Sequence, residues 1–153
     1  MGQAPCLRFL SRVDNVSDLA GEKLAERFVA DVLDRVFREA GVSPRFALLA
    51  PEPGCAPPRY HLYLEAALDA YTADAAANLT TALDWELSRN FHHAECRALG
   101  QLAERVVPVR DGATSHMEAC RARGQRAGDV KPAVLDRRAG WGERCLAAVG
   151  PAL

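Results

Sequence analysis

The chain has 153 residues, enough for one domain with its own core, and 49% of them are hydrophobic, which excludes wholesale disorder. Its 19 basic residues stand against 20 acidic ones, a net charge of −1, and general nucleic-acid binding normally needs a basic excess. No apolar run approaches the roughly 20 residues of a membrane span, and the opening "MGQAPCLRF" lacks the apolar core of a secretory signal, so a cytoplasmic protein with neither membrane nor nucleic acid as partner is expected.

The first predicted element is a short strand, "CLRFLSR". A polar joint follows, in which Arg12, Asp14, Asn15, Ser17, Asp18, Glu22 and Lys23 crowd together. On the residues alone this is helix-entry chemistry: Ser17 or Asp18 caps the next helix, and Glu22 stands in its first turn, where the dipole favours an acid. That helix is "GEKLAERFVADVLDRVFREAG", with Leu24, Phe28, Val29, Val32, Leu33, Val36 and Phe37 at helical spacing and Gly41 as the stop.

"RFALLA" reads as a second strand and "PEPGCAPP" as a loop, because a Pro/Gly run suits no element interior. "RYHLYLEA" alternates, with Tyr60, Leu62 and Leu64 on one face and His61, Tyr63 and Glu65 on the other, the pattern of a strand with one face in the core. "TADAAANLTTALDWELSRN" is a long helix with Thr72 as N-cap, and "FHHAECRALGQL" a short one ended by Gly100. "ERVVPVRDG" is a fourth strand, which Pro108 places at an edge or marks with a bulge. "ATSHMEACRARGQ" is helical, "RAGDVKPAVLD" an irregular loop, and the tail is weakly patterned, with Trp141 as an anchor. The order predicts an α+β fold. It should hold about four strands in a mixed sheet on a split βαβ plan, with helices mainly on one face.

The five cysteines, Cys6, Cys55, Cys96, Cys120 and Cys145, are odd in number and form no CxxC, which reads as reduced thiols rather than a disulfide framework or a zinc site. His92 and His93 are adjacent, so on a helix they point about 100° apart and do not chelate one ion. No metal site is expected. His61 and His116 lack a nearby ligand pattern, and no nucleophile elbow, dinucleotide-binding glycine motif, Walker loop or HExxH is present.

Three stretches carry a resemblance. "FLSRVDNVSDLAGEKLAERFV", "LDWELSRNFHHAECRALGQL" and "RGQRAGDVKPAVL" occur in that order, with "RYHLYLE" between the first two. Together they resemble the C-terminal lid of the auxin-responsive Gretchen Hagen family of acyl-acid amido synthetases, within the adenylate-forming superfamily. The resemblance covers nearly the whole chain. It departs at Ser11, where the family has glycine, at His93, where it has tyrosine, and after Lys131, where Pro132-Ala133 replaces the family's spacing to a proline and arginine.

In that family a large N-terminal domain binds ATP with Mg and an acyl acid, and the small domain swings between adenylation and attack by an amino acid. The resemblance implies residues 1–20 as an N-terminal strand and hinge and residues 21–153 as the lid. It implies Lys131 as the adenylation lysine, after the glycine-bearing loop with Gly128. Arg12 and Lys23 would approach the nucleotide, and Asp14 would be the hinge pivot. A lysine ammonium is a compact charge suited to phosphate oxygens, whereas on residues alone Lys131 is a solvated surface lysine. The chain is expected to be inactive by itself and to need an N-terminal adenylating domain in trans. The alternative is a non-catalytic binding module or a truncated remnant. Arg97, in the "CR" pair, is expected to be a structural ion-pair donor.

Overall fold

The alternation in "RYHLYLE" has a partner directly before it in the chain. The computed structural model describes residues 15–67, 72–126, 128, 130 and 133–146. Within it β1 (Val16–Ser17) and β2 (Leu24–Ala25) form a two-stranded antiparallel ribbon, followed by α1 (Glu26–Ala40). The hairpin of β3 (Phe46–Glu52) and β4 (Arg59–Glu65) comes next, then α2 (Ala73–Leu87) and α3 (Phe91–Ala98). The chain continues with β5 (Ala103–Pro108), α4 (Gly112–Ala122) and α5 (Trp141–Leu146).

The main sheet has the order β3-β4-β5. β3 and β4 are antiparallel, with Leu49 opposite Leu62, and β5 runs parallel to β4, with Val106 opposite Leu62. The parallel pairing requires a crossover, and α2 and α3 supply it. β5 is an edge strand and Pro108 is its last residue, as its missing N–H demands. The fold is the expected α+β class. Its described part holds a three-stranded mixed sheet and the small ribbon, and the predicted first strand "CLRFLSR" lies outside the described residues.

Each sheet face has its own core. Tyr60, Leu62 and Leu64 pack with Val29, Val32, Leu33 and Val36 of α1 and Leu79, Leu83 and Leu87 of α2. Each such side chain contributes roughly 1.5–3 kcal/mol on full burial. On the opposite face Leu48, Ala50 and Tyr63 pack with Trp141, Cys145, Ala119 and Val109. Helices therefore cover both faces rather than mainly one. The weakly patterned tail supplies the second layer through Trp141, which is fully buried.

The other helix signals hold. Thr72 caps α2 by accepting from the Ala75 amide at 3.1 Å, and Asn90 caps α3 by accepting from the His93 amide at 3.2 Å. Gly41 and Gly100 take positive φ just beyond α1 and α3. The start of α1 differs. It begins at Glu26, after Ala25, and no side chain caps it. Lys23 stands at φ 49°, outside the helical region, and Leu24–Ala25 is already committed to the ribbon.

Candidate functional site

The polar joint is anchored to the domain body from Asn15 onward. Glu22 is fully buried and accepts the backbone amides of Leu19 and Ala20, each at 2.7 Å. It also accepts a hydrogen bond from the Tyr60 hydroxyl, on the core face of β4. The Ser17 hydroxyl lies 2.7 Å from the Tyr60 oxygen. The phenol has one proton to give, so Ser17 donates to it. Burial, then the hydrogen bond to Glu22, pushes the Tyr60 phenol far above its usual range. The expected roles of these residues are thus corrected. Glu22 is not in a first helical turn, and neither Ser17 nor Asp18 caps α1. Asp18 instead accepts the Gly21 amide at 2.7 Å. A carboxylate that satisfies two loop amides and a buried phenol is better compensated than one at an exposed helix end.

The joint meets the far end of the chain. Asn15 donates through Nδ2 to the Leu135 carbonyl at 2.7 Å, and its own carbonyl receives the Glu26 amide at 2.8 Å. Glu26 Oε1 accepts the Val134 amide at 3.2 Å. Val134 and Asp136 in turn bond to both sides of Leu49, at 2.8 and 3.0 Å, so this segment lies parallel along the free edge of β3. The expected irregular loop therefore closes a sheet edge.

A cavity of about 330 Å³ opens beside this junction, lined by Asn15, Arg123, Gln125, Arg137 and Arg138 among others. Asp136 is the acid on its wall, and its carboxylate is engaged by Arg123 Nη1 at 3.3 Å, Trp141 Nε1 at 3.2 Å and the Arg138 amide at 2.9 Å. Arg123 also lies 5.2 Å from the Trp141 ring centroid, and His116 stacks on that ring at 5.3 Å and 16°. Burial holds the His116 imidazolium below its usual range, with Arg123 adding to the effect and Asp136 opposing it. Three guanidiniums against one engaged carboxylate make this wall attractive to anions.

Of the residues singled out by sequence, Lys131, Arg12 and Asp14 lie outside the described residues. Their described neighbours are the joined pair: Asp14 directly precedes Asn15, and Lys131 stands four residues before Leu135. Lys23 is exposed and takes part in none of the ion pairs among the described residues. Gly128 is exposed, with open space where a Cβ would stand. Sequence reading missed Arg123, Arg137 and Arg138, although the basic runs "RARGQR" and "DRR" were their signal.

A second polar cluster lies inside the α2–α3 crossover. Asp84, His93 and Glu104 bring ligand-type atoms within 4.8 Å of one another. His93 Nε2 is 2.7 Å from Glu104 Oε1, and both side chains are buried. The cation of this cluster is Arg97. Its Nε and Nη2 hold Asp84 at 2.6 and 2.8 Å, its Nε stands 3.0 Å from Glu104, and its Nη1 donates to the Leu102 carbonyl at 2.8 Å. The guanidinium draws the Asp84 carboxyl down, whereas burial drives Glu104 up. A metal ion does not fit where a guanidinium already supplies the charge, so Arg97 is the structural ion-pair donor expected. Cys55, Cys96, Cys120 and Cys145 are free thiols, and no described helix is long and apolar enough to cross a membrane.

No family model matches the chain, and no curated protein matches it. Among solved structures the chain is similar to GH3.15 acyl acid amido synthetase, with a TM-score of 0.67 and 14% identity over 92% of this chain and 26% of that one. At that identity the likeness is one of fold. The chain spans about a quarter of the length of that synthetase.

Proposed function

We propose that the chain is the mobile lid of an ATP-dependent acyl-acid amido synthetase, working with a larger adenylating domain. The single observation that carries the reading is the Asn15–Leu135 hydrogen bond. It ties the residue after the hinge motif to the segment after Lys131, so a rotation at the joint would be transmitted to the lysine loop. Fold likeness to part of GH3.15 acyl acid amido synthetase supports the same reading. In it Lys131 neutralises phosphate charge during adenylate formation, Asp14 is the pivot, and Arg12, Lys23 and Gly128 lie toward the nucleotide. The basic wall of Arg123, Arg137 and Arg138 suits the phosphate side of ATP. Magnesium has no fitting donor set among the described residues, since Arg97 fills the one carboxylate–imidazole cluster; the ion belongs with the larger domain. That domain binds the acyl acid, and the amino acid arrives once the lid has turned.

The test is complementation in trans. The chain, mixed with an adenylating domain of this kind, should restore ATP-dependent amide formation, and Lys131→Ala should lower pyrophosphate exchange by about a hundredfold, as loss of one charge-stabilising donor does elsewhere. Unchanged exchange would remove the lysine from the reaction. Capture only of partners unrelated to adenylation, with contacts indifferent to Lys131, would favour a binding module.

A further inference from the structure

Both helical layers reach the β3 edge, and an open cavity of about 430 Å³ lies between them. Leu33 and Phe37 of α1, Phe46 and Ala47 of β3, Met117 of α4 and Val134 of the closing segment line it among others. The charged lining residues, Asp34 and Arg45, are exposed and take part in no ion pair among the described residues, so the groove itself is apolar.

The segment that closes the β3 edge stops short of this groove. Residues 134–136 bond to the edge at Leu49. Ala47 lies two residues earlier, so its backbone groups point to the same side as those of Leu49. It has no partner across that edge among the described residues. An extended segment laid there would meet an open N–H and C=O as well as apolar side chains, which is how a strand is added to a sheet.

The chain's own N-terminal stretch fits by position and by pattern. It leads to the groove, because Asn15 bonds to Leu135, the neighbour of the lining residue Val134, and the Asn15 carbonyl receives the Glu26 amide at the start of α1. Leu33 and Phe37 stand seven and eleven residues beyond Glu26, about 10 and 16 Å along the helix. Phe9 and Leu7 stand six and eight residues before Asn15, and an extended chain of that length spans roughly 20 and 26 Å. Both therefore reach the groove. In the predicted strand "CLRFLSR", Leu7 and Phe9 share one face and Arg8 takes the other. A second copy of the chain is a poorer occupant. A stable dimer buries about 800 Å² on each partner, whereas this groove takes only a few side chains. A tethered segment needs no such area, because its effective concentration is of millimolar order.

We propose that Leu7 and Phe9 occupy this groove, with residues 7–9 laid beside Ala47 as an added strand. The N-terminal stretch is then a strap that holds the polar joint against the domain body. The docking does not depend on the lid reading.

The experiment is NMR on the complete, isotope-labelled chain. Nuclear Overhauser contacts are expected from the Phe9 ring to the Leu33 and Met117 methyl groups, together with slow exchange of the Ala47 amide. Phe9→Asp should abolish these contacts and speed Ala47 exchange at least tenfold, while the signals of the core around Trp141 stay in place. Leu7→Asp should act in the same direction. A mixture of labelled and unlabelled chains tells whose segment is seen: contacts between unlike chains would overturn the strap in favour of a second copy. Wild-type chain without contacts between residues 7–9 and the groove would also overturn it, as would Ala47 exchange indifferent to Phe9→Asp. The measurement uses neither ATP nor an adenylating domain, so failure of trans complementation leaves these outcomes unchanged.

Discussion

Glu22 and Tyr60 are 38 positions apart, yet the phenol donates its one hydrogen bond to the carboxylate inside a shell that excludes solvent from the acid. A loop that looks solvated in the sequence is thereby fastened to the middle strand of the sheet. Tyr60→Phe should destabilise the fold by about 1–3 kcal/mol, because Glu22 loses a donor and stays buried. Glu22→Ala should cost more, since the Leu19 and Ala20 amides also lose their acceptor. Urea unfolding of both variants checks the order. A Glu22→Ala protein as stable as wild type would mean that the joint is not anchored through this carboxylate.

The same pair sets an alkaline limit. The Tyr60 phenol is raised above its model-compound value of 10.0 in the folded protein. The unfolded chain therefore releases this proton first, and stability present below about pH 10 is lost as pH rises beyond it. Tyr63, raised by burial, acts in the same direction. Unfolding free energy should fall from about pH 10 upward, and less steeply in Tyr60→Phe.

The guanidinium at the centre of the α2–α3 cluster should behave as its resident cation. Arg97→Met takes the cation from Glu104 Oε2, on a side chain 1% exposed that keeps only His93 at Oε1, and should cost about 3 kcal/mol; Arg97 is itself one-third exposed, which keeps the loss at the low end for a broken buried pair. The arginine lowers the Asp84 carboxyl, so that contribution is present above the ordinary carboxylate range and lost as pH falls through it. The variant should consequently lose part of the wild-type sensitivity to acid. A chelator should leave the thermal midpoint of the wild type unchanged. A drop of several degrees would point to a metal in place of the guanidinium account.

Gly112 sits against the β3 entrance. A methyl group there would stand 2.3 Å from Phe46 Cδ1, inside any permitted contact. The residue also donates its amide to Glu65 at 2.9 Å, which pins the start of α4 to the sheet. Gly112→Ala should destabilise by about 1–3 kcal/mol through forced repacking of Phe46, and thermal melts of Gly112→Ala with and without Phe46→Leu test it. Relief by the smaller side chain is the expected result.

What could be read in advance was whatever depends on short-range pattern. The β4 alternation, the α1 stripe, the Thr72 cap and the glycine stops after α1 and α3 each need only a few neighbouring residues to be decided. Of the second helical layer, α4 was legible as a helix and Trp141 as an anchor, but not their packing on the sheet, because the apolar content is spread over α4 and α5 and becomes a surface only once the sheet is built. The role of Glu22 was hidden for the same reason. Its partner Tyr60 lies on another element, and an acid ahead of a helix is ordinarily satisfied by that helix. The candidate site was half legible: the motifs marked the two ends of the chain, while the hydrogen bond that joins Asn15 to Leu135 depends on tertiary contact alone.

That closure of the β3 edge by residues 134–136 has a practical side for anyone cutting the gene. A recombinant fragment starting at the first turn of α1 would discard Asn15 and Glu22 together, and the segment along β3 would lose its clasp, baring a row of unsatisfied strand amides ready to pair with a neighbouring copy. Shortening should therefore stop ahead of Asn15, and a fragment begun at Glu26 is expected to precipitate where the longer one stays dissolved.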